Sequence, residues 1–167
     1  MIKMMLFRPF YLVLSIVLLS MPGLASAQSN NLYAENLIWK AGESNVLKIC
    51  LDNNEVVNGI QFDMSLPEGF SVDETVEVIK NNARIGKMTI TFKETNKNQY
   101  RFLVYSFSGD AVKGQQGVIF SVPLKADDAV AKGAYSIAFS KASLSCVRVV
   151  PDTGCRIDDF KSSIDVK

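Results

Sequence analysis

Histidine is absent from the whole sequence. In proteins histidine serves as the general base beside a nucleophilic serine or cysteine, as the commonest metal ligand and as a proton carrier near neutral pH. Its absence therefore excludes Ser-His-Asp and Cys-His catalysis, histidine zinc sites and histidine proton relays together. No other feature of the sequence argues as strongly against an enzyme.

A cluster of basic residues is also missing. The chain carries 18 lysines and arginines against 17 aspartates and glutamates, which gives a net charge of +1. Binding to nucleic acid requires clustered cations that neutralise the phosphates. We therefore expect no nucleic-acid partner.

The N-terminal segment is typical of a secretory signal peptide. Lys3 and Arg8 precede an apolar run over 10–19, and Ala25-Ser26-Ala27 is a small-residue cleavage site. The alternative is an uncleaved membrane anchor, but a spanning helix needs about 20 apolar residues, and Pro22-Gly23 interrupts this run. We expect cleavage after Ala27 and an exported chain that is periplasmic, cell-surface or extracellular, with no membrane span after cleavage.

The remaining chain has the length of one domain. Loss of residues 1–27 removes two basic and no acidic residues, so 16 basic and 17 acidic residues remain, a net charge of −1. Residues 28–167 are enough for a single domain with a full hydrophobic core. No internal repeat, low-complexity tract or linker interrupts them, and we expect one domain.

Three cysteines are present, Cys50, Cys146 and Cys155. Export permits disulfides, and Cys146 and Cys155 flank a short segment with a turn signal, so we expect these two to form a disulfide. The alternative is three reduced thiols that pack as small apolar groups. Cys50 is out of phase with the apolar residues of its strand and is expected to be unpaired. The spacing gives no zinc site.

The segment 58–70 has the clearest pattern in the chain. Apolar and polar residues alternate with period two, which predicts a strand with one buried and one solvated face. The buried face is expected to carry Ile60, Phe62, Met64 and Leu66, and the solvated face Gln61, Asp63 and Ser65. Asn58-Gly59 begins the strand, and a Pro-Glu-Gly turn ends it.

Similar short runs recur along the chain without a helical period. The segment 72–80 alternates weakly and predicts either an irregular strand or a helical turn. The polar segment 108–117 is long for a hairpin loop, so we expect the chain to pass there from one sheet to another. About nine strands predict an all-β fold, an antiparallel two-sheet sandwich with jelly-roll topology. The runs lie at 32–39, 46–51, 60–66, 72–80, 87–93, 100–106, 118–124, 134–139 and 157–166.

The order of these segments resembles that of cohesin modules. Val57-Asn58-Gly59-Ile60-Gln61-Phe62-Asp63 is similar to the third cohesin strand, Tyr100-Arg101-Phe102-Leu103-Val104-Tyr105-Ser106 to the strand before a Gly-rich crossing, and the run 117–126 to the next strand. Each motif is weak alone, and their order and spacing over 31–167 carry the resemblance. The likeness is to cohesin-like modules of exported proteins in Gram-negative anaerobes.

The resemblance implies a nine-stranded jelly roll and kinship with carbohydrate-binding modules. In cohesins one flat sheet face binds a calcium-loaded dockerin. The resemblance places Gln61 and Asp63, with Ser65 in the same row, on that face, and it implies Ile119 and Ser121 as their neighbours. The hypothesis is an exported, non-catalytic module that binds a dockerin-like or other secreted or surface protein. The alternative for the polar row is an ordinary solvated sheet face.

A second hypothesis is a carbohydrate-binding module of a polysaccharide-utilisation system. Sugars stack on exposed planar aromatics, and the candidates are Trp39, the only tryptophan, with Tyr33 in phase with it and Tyr105. The alternative for Trp39 is packing at the edge of the sandwich. Carboxylate pairs such as Asp127-Asp128 fall in predicted loops, where solvating charges are common. We expect no enzymatic activity, no cofactor and no metal site.

Overall fold

The structure is a computed structural model that describes residues 30–40, 45–147 and 157–167. The predicted signal peptide, residues 1–27, and Cys155 lie outside the described residues. Within them, no helix is long and apolar enough to cross a membrane. The elements are β1 (Asn31–Ala34), β2 (Leu37–Trp39), β3 (Asn45–Asp52), β4 (Val56–Ser65), β5 (Phe70–Val72), β6 (Ile79–Lys80), α1 (Asn82–Ile85), β7 (Thr89–Asn96), β8 (Gln99–Tyr105), β9 (Val118–Ala126), β10 (Gly133–Val147) and β11 (Phe160–Val166).

The strands form two sheets. The five-stranded sheet has the order β1-β3-β9-β5, and β6 also pairs with β9. The six-stranded sheet has the order β2-β11-β10-β4-β8-β7. Every pairing is antiparallel except that of β2 with β11. The prediction of an all-β two-sheet sandwich is confirmed.

The described residues form eleven strands rather than about nine. The single strand predicted over 32–39 divides, because Glu35 and Asn36 carry the chain from one sheet to the other. Ser162 Oγ donates to the Glu35 carbonyl oxygen at 2.9 Å, and Ser163 N donates to Asn36 Oδ1 at 3.2 Å. These bonds satisfy polar groups of Glu35 and Asn36, where the chain changes sheets. As a result β1 pairs with β3, and β2 pairs with β11. The weakly alternating segment 72–80 contributes the end of β5 and the two-residue strand β6.

Aromatic side chains from both sheets meet in the core. Phe62 of β4 stacks on Phe102 of β8 with centroids 5.2 Å apart, and on Phe120 of β9, in the opposite sheet, at 6.3 Å. The inward residues predicted for β4 and the following Leu66 are all buried. Since successive strand residues point to opposite faces, this packing fixes which side chains of β4 point outward.

The polar segment 108–117 joins β8 in the six-stranded sheet to β9 in the five-stranded sheet, which confirms the predicted crossing. Backbone hydrogen bonds hold it against the sandwich: Val112 N donates to Val57 O and Lys113 N to Arg84 O, both at 2.7 Å. These hydrogen bonds anchor the middle of the segment 108–117. They also restrict the position of the residues between β8 and this segment.

Candidate functional site

The outer face of the six-stranded sheet combines the features of a recognition surface. Strand register places its residues in rows across β10, β4, β8 and β7, because paired residues in antiparallel strands point to the same side. One row is Ser145, Gly59, Tyr105 and Thr89, and the next is Ser143, Gln61, Leu103 and Thr91. The third row places Asp63 beside Arg101, followed by Lys93. We call this outward side of β10, β4, β8 and β7 the outer face, and we include in it Ser65 of β4, Lys141 of β10 and Phe107, which follows β8.

An ion cluster forms the charged end of the outer face. Asp63 is 1% exposed and receives Arg101 Nε on Oδ1 at 2.6 Å and Arg101 Nη2 on Oδ2 at 2.8 Å. Lys141 Nζ lies 3.3 Å from Asp63 Oδ2. The hydrogen bonds from Arg101, followed by that from Lys141, lower the pKa of the Asp63 carboxyl against the opposing effect of burial. The carboxylate is thus covered, and the charged groups that remain accessible to a partner are the two cations.

A bulge in β10 supplies Lys141 to this cluster. The register of β10 against β4 shifts between Ser140 and Ser143, and Lys141 has a positive φ of 52°. Its backbone N donates to Asp159 Oδ1 at 3.2 Å, so the residue just before β11 helps to fix the bulge. Bulges re-aim side chains in this way, so the position of the cation follows from the irregularity of the strand.

The middle of the outer face is a shallow, mostly apolar depression of about 300 Å³. Leu103, 38% exposed, and Tyr105 line it from β8, and Gln61 and Ser143 line it from β4 and β10. Gly59 lies at its base, where an added Cβ would come 3.1 Å from Ser145 Cβ. The absence of a side chain at Gly59 therefore leaves the depression open, and a larger residue there would fill it.

A hydrogen-bonded turn directly after β8 presents Phe107, which is 94% exposed. Ser108 Oγ and Ser106 Oγ donate to Asp110 Oδ2 at 2.7 and 2.8 Å, and Asp110 N donates back to Ser106 Oγ at 3.1 Å. The hydrogen bond from Ser108, followed by that from Ser106, lowers the pKa of the Asp110 carboxyl. The Phe107 ring meets Tyr105 edge to face, with centroids 5.0 Å apart. The turn holds a large apolar side chain in solvent beside the depression.

The residues predicted for partner binding divide between two sheets. Gln61, Asp63 and Ser65 lie in β4 on the outer face, although Asp63 is buried beneath its cations. The expectation that Ile119 and Ser121 share this face is wrong, because β9 pairs with β3, β5 and β6 in the opposite sheet. Ile119 is fully buried and Ser121 is buried as well.

The aromatic residues predicted for carbohydrate binding do not come together. Tyr33 lies in β1 of the five-stranded sheet, whereas Trp39 and Tyr105 lie in the six-stranded sheet with β11, β10 and β4 between their strands. Trp39 packs edge to face on the core residue Phe70, with centroids 5.2 Å apart. The division of 32–39 into two strands also removes the common phase of Tyr33 and Trp39.

Several residues of the outer face were not among the predicted binding residues, and the most exposed or charged of them include Arg101, Leu103, Phe107 and Lys141. The sequence of strand β8 contains a signal for Leu103, because the strand has apolar residues at positions of both phases. Phe107 lies between two serines and before Gly-Asp, a turn composition in which a large apolar residue is unexpected. Lys141 had no signal, because its role depends on the bulge.

The described residues contain no group of three cysteine, aspartate or glutamate side chains placed to hold a metal ion. Cys50 is buried and free, and burial raises the pKa of its thiol. Cys146 is disulfide-bonded. Its predicted partner, Cys155, lies outside the described residues, so the pairing stays a prediction.

No protein-family model and no curated protein matches the sequence, but solved structures do. CaCohA2 of Clostridium acetobutylicum, solved in complex with CaDoc0917, has a TM-score of 0.70 at 10% identity over 83% of this chain and 100% of that chain. The seventh ScaB type I cohesin of Pseudobacteroides cellulosolvens has a TM-score of 0.67 at 16% identity, over 83% and 92%. A type I cohesin–dockerin complex from Clostridium thermocellum gives 0.60 at 12% identity, over 83% and 95%.

These matches define the class of fold. The two-sheet sandwich of this chain is that of cohesin modules, so the predicted cohesin-like architecture is confirmed. At identities of 10 to 16% the similarity describes the fold. What the outer face binds has to be argued from its own residues.

Proposed function

We propose that this domain is a non-catalytic module that binds a protein partner through the outer face of its six-stranded sheet. The observation that carries the proposal is Phe107, a side chain 94% exposed on a hydrogen-bonded turn, next to Tyr105 and Leu103. Exposed apolar clusters on soluble domains mark interaction sites. Large anchors of this kind, when they become buried, supply most of the binding energy of an interface.

The shape of the outer face supports a macromolecular partner. Its depression is shallow, whereas pockets for small molecules enclose most of the ligand surface. The apolar centre around Leu103 is bordered by hydroxyl groups of Ser143, Ser145, Thr89 and Thr91, which lie in the same rows. Such an apolar core with a polar rim is the usual composition of a protein interface.

The aromatic geometry favours a protein over a sugar. The rings of Tyr105 and Phe107 lie at 78° to each other, so they form an edge-to-face pair and offer no common plane for a pyranose ring. A protruding phenyl group suits an apolar pocket on a partner. Arg101 and Lys141, held by Asp63, add two cations at one end of the surface.

The partner class that we propose is a dockerin-type or other exported protein. Support comes from the fold, since a solved cohesin of the same architecture is in complex with a dockerin, and from the N-terminal sequence, which has the composition of a secretory signal peptide. The module would then act in the periplasm, on the cell surface or outside the cell. Absence of histidine from the sequence agrees with a binding role.

The test is binding of the purified domain to a panel of calcium-loaded dockerins and to fractionated secreted proteins of the source organism, followed by surface plasmon resonance with the partner found. We expect Phe107→Ala and Leu103→Ala each to weaken binding by tenfold or more, the range of hot-spot residues. Ile38→Ala is the matched control, because Ile38 is 53% exposed in β2 at the opposite edge of the same sheet. Equal affinity of all three variants, or the absence of any partner, would refute the proposal.

A further inference from the structure

A second surface lies at the edge of the sandwich, away from the outer face. Between the segment 73–80 and β7 the two sheets separate and leave a cleft of about 640 Å³. Val78, Ile90 and Phe92 give it an apolar floor, and Glu74 and Glu77 line it as well. Val76, which also lines the cleft, is 44% exposed, so part of the apolar lining is uncovered.

Strand β7 forms one wall of the cleft and ends the six-stranded sheet. It pairs with β8, and no other strand of the described residues pairs with it, so its second edge offers backbone N–H and C=O groups. Native sheets protect such edges with charges and bulges. The second half of β7 has both, Lys93 and a register shift between Glu94 and Asn96. The first half, Thr-Ile-Thr-Phe over 89–92, has neither, and this half lines the cleft.

The described lining of the cleft has more acidic than basic residues. Glu74 and Glu77 are lining residues, and Glu94 follows the lining residue Phe92 by two positions in β7, on the same side of the strand. Glu94 lies opposite Tyr100 in the register of β7 with β8, and the Tyr100 ring packs edge to face on Phe92. Burial raises the pKa of the Tyr100 hydroxyl, and the carboxylates of Glu94 and Glu74 raise it further. Lys80, the cation among the described lining residues, donates Nζ to the Met88 carbonyl oxygen at 2.8 Å. Its charge is therefore held at the wall.

An apolar floor with carboxylates above it matches one kind of side chain. Lysine and arginine have long aliphatic stems that cover apolar surface while the charged end stays in water. On a strand added beside β7, alternate side chains would point to the inner side, where Ile90 and Phe92 line the cleft. Backbone pairing gives affinity in this recognition mode, and the alternate side chains give specificity.

We propose that the cleft binds an extended segment of a partner protein that adds as a strand to the first half of β7 and places alternate lysine or arginine side chains over Val78, Ile90 and Phe92, with their charges toward Glu74 and Glu77. This inference is independent of the outer face and of the partner proposed for it.

The probe is a fluorescein-labelled heptapeptide in which threonine and lysine alternate, Thr-Lys-Thr-Lys-Thr-Lys-Thr, measured by fluorescence anisotropy with the intact domain. We expect saturable binding that weakens with added salt, and amide hydrogen exchange slowed in residues 89–92. The Glu74→Gln/Glu77→Gln variant should bind about fivefold more weakly, the effect of two exposed ion pairs. Asp158→Asn/Asp165→Asn is the charge-matched control, since Asp158 precedes β11 and Asp165 lies in it, near the other edge of the sheet.

Two further peptides separate the parts of the proposal. A peptide with glutamate in place of lysine should bind at least fivefold more weakly, and a peptide N-methylated at alternate residues should lose binding because it cannot pair with the strand edge. The proposal is overturned by no binding at about 1 mM peptide, by equal binding to the glutamine variant and the wild type, or by protection of amides elsewhere in the chain.

Discussion

The guanidinium of Arg101 binds the Asp63 carboxylate through two roughly parallel hydrogen bonds, Nε to Oδ1 at 2.6 Å and Nη2 to Oδ2 at 2.8 Å. The two residues face each other across β4 and β8. Bidentate pairs fix the plane of the guanidinium as well as its position. Asp63 therefore acts on the outer face through Arg101, and its own carboxylate is covered.

Asp63→Asn is expected to destabilise the domain by about 1–3 kcal/mol, because a buried charged acceptor of several hydrogen bonds is replaced by an amide. The side chain is 1% exposed, so water cannot replace the lost bonds without rearrangement. Urea denaturation of both proteins at neutral pH measures the difference. Ser65→Ala is the control, since the Ser65 side chain points to the same side of β4 as Asp63 and is only partly buried.

The same pair predicts a pH dependence. Hydrogen bonding from Arg101 holds the pKa of the folded Asp63 carboxyl below its ordinary value, which is about 3.9 in an unfolded chain. Its contribution to stability is therefore complete above about pH 4 and is lost as the pH falls through the lower folded pKa. The stability gap between wild type and Asp63→Asn should be constant from pH 5 to 7 and should shrink below about pH 4. A gap that widens on acidification would contradict this assignment.

Substitution of Trp39 distinguishes a structural role of this side chain from a sugar-binding role. Its ring packs edge to face on the buried Phe70 and belongs to the periphery of the core. Trp39→Ala is therefore expected to destabilise the domain by about 2–4 kcal/mol, somewhat less than a fully buried tryptophan, as measured by thermal or urea unfolding. A variant of unchanged stability that selectively lost binding on a glycan array would instead support the carbohydrate hypothesis.

Local alternation predicted the parts of the fold that depend on one strand at a time. The inward row of β4 was predicted correctly because one buried face imposes period two over 60–66. The crossing after β8 followed from the length of the polar loop. The division of 32–39 did not follow, because the switch between sheets depends on Ser162 and Ser163, about 127 residues later in the sequence.

The site was predicted less completely than the fold for the same reason. The polar row with Gln61 was located from the pattern of β4 alone. Ile119 and Ser121 were assigned to the same face by resemblance, but which sheet contains β9 depends on long-range pairing with β3 and β5. Lys141 reaches the site through a bulge, and a bulge leaves no periodic signal in the sequence.

Arg84 is a buried cation that binds the end of β3. One nitrogen, Nη2, donates to Leu51 O and Asn53 Oδ1, both at 3.0 Å, whereas Nε and Nη1 have no described partner. Burial lowers the pKa of the Arg84 guanidinium. Arg84→Ala should cost about 2–4 kcal/mol of unfolding free energy, because it removes both bonds and leaves a cavity.

Arg84→Lys should cost less, about 1 kcal/mol, because one ammonium can replace the single donor nitrogen, and the two buried nitrogens without a described partner, Nε and Nη1, disappear. Urea denaturation compares the two variants at one pH. Equal losses for Arg84→Lys and Arg84→Ala would mean that Nε and Nη1 are bound, with ordered water as the simplest acceptor.

The last prediction concerns the disulfide of Cys146. Cys146 is disulfide-bonded and Cys50 is buried and free, and the sequence predicts Cys155 as the partner across a short turn segment. Non-reducing peptide mapping should give a Cys146–Cys155 link within one chain, with Cys50 alkylated only after unfolding. Closing so short a loop contributes about 2–3 kcal/mol in the chain-entropy model, so Cys155→Ser should lower the urea midpoint of the oxidised protein to that of the reduced wild type. A link between two chains, or one that includes Cys50, would refute the predicted pairing.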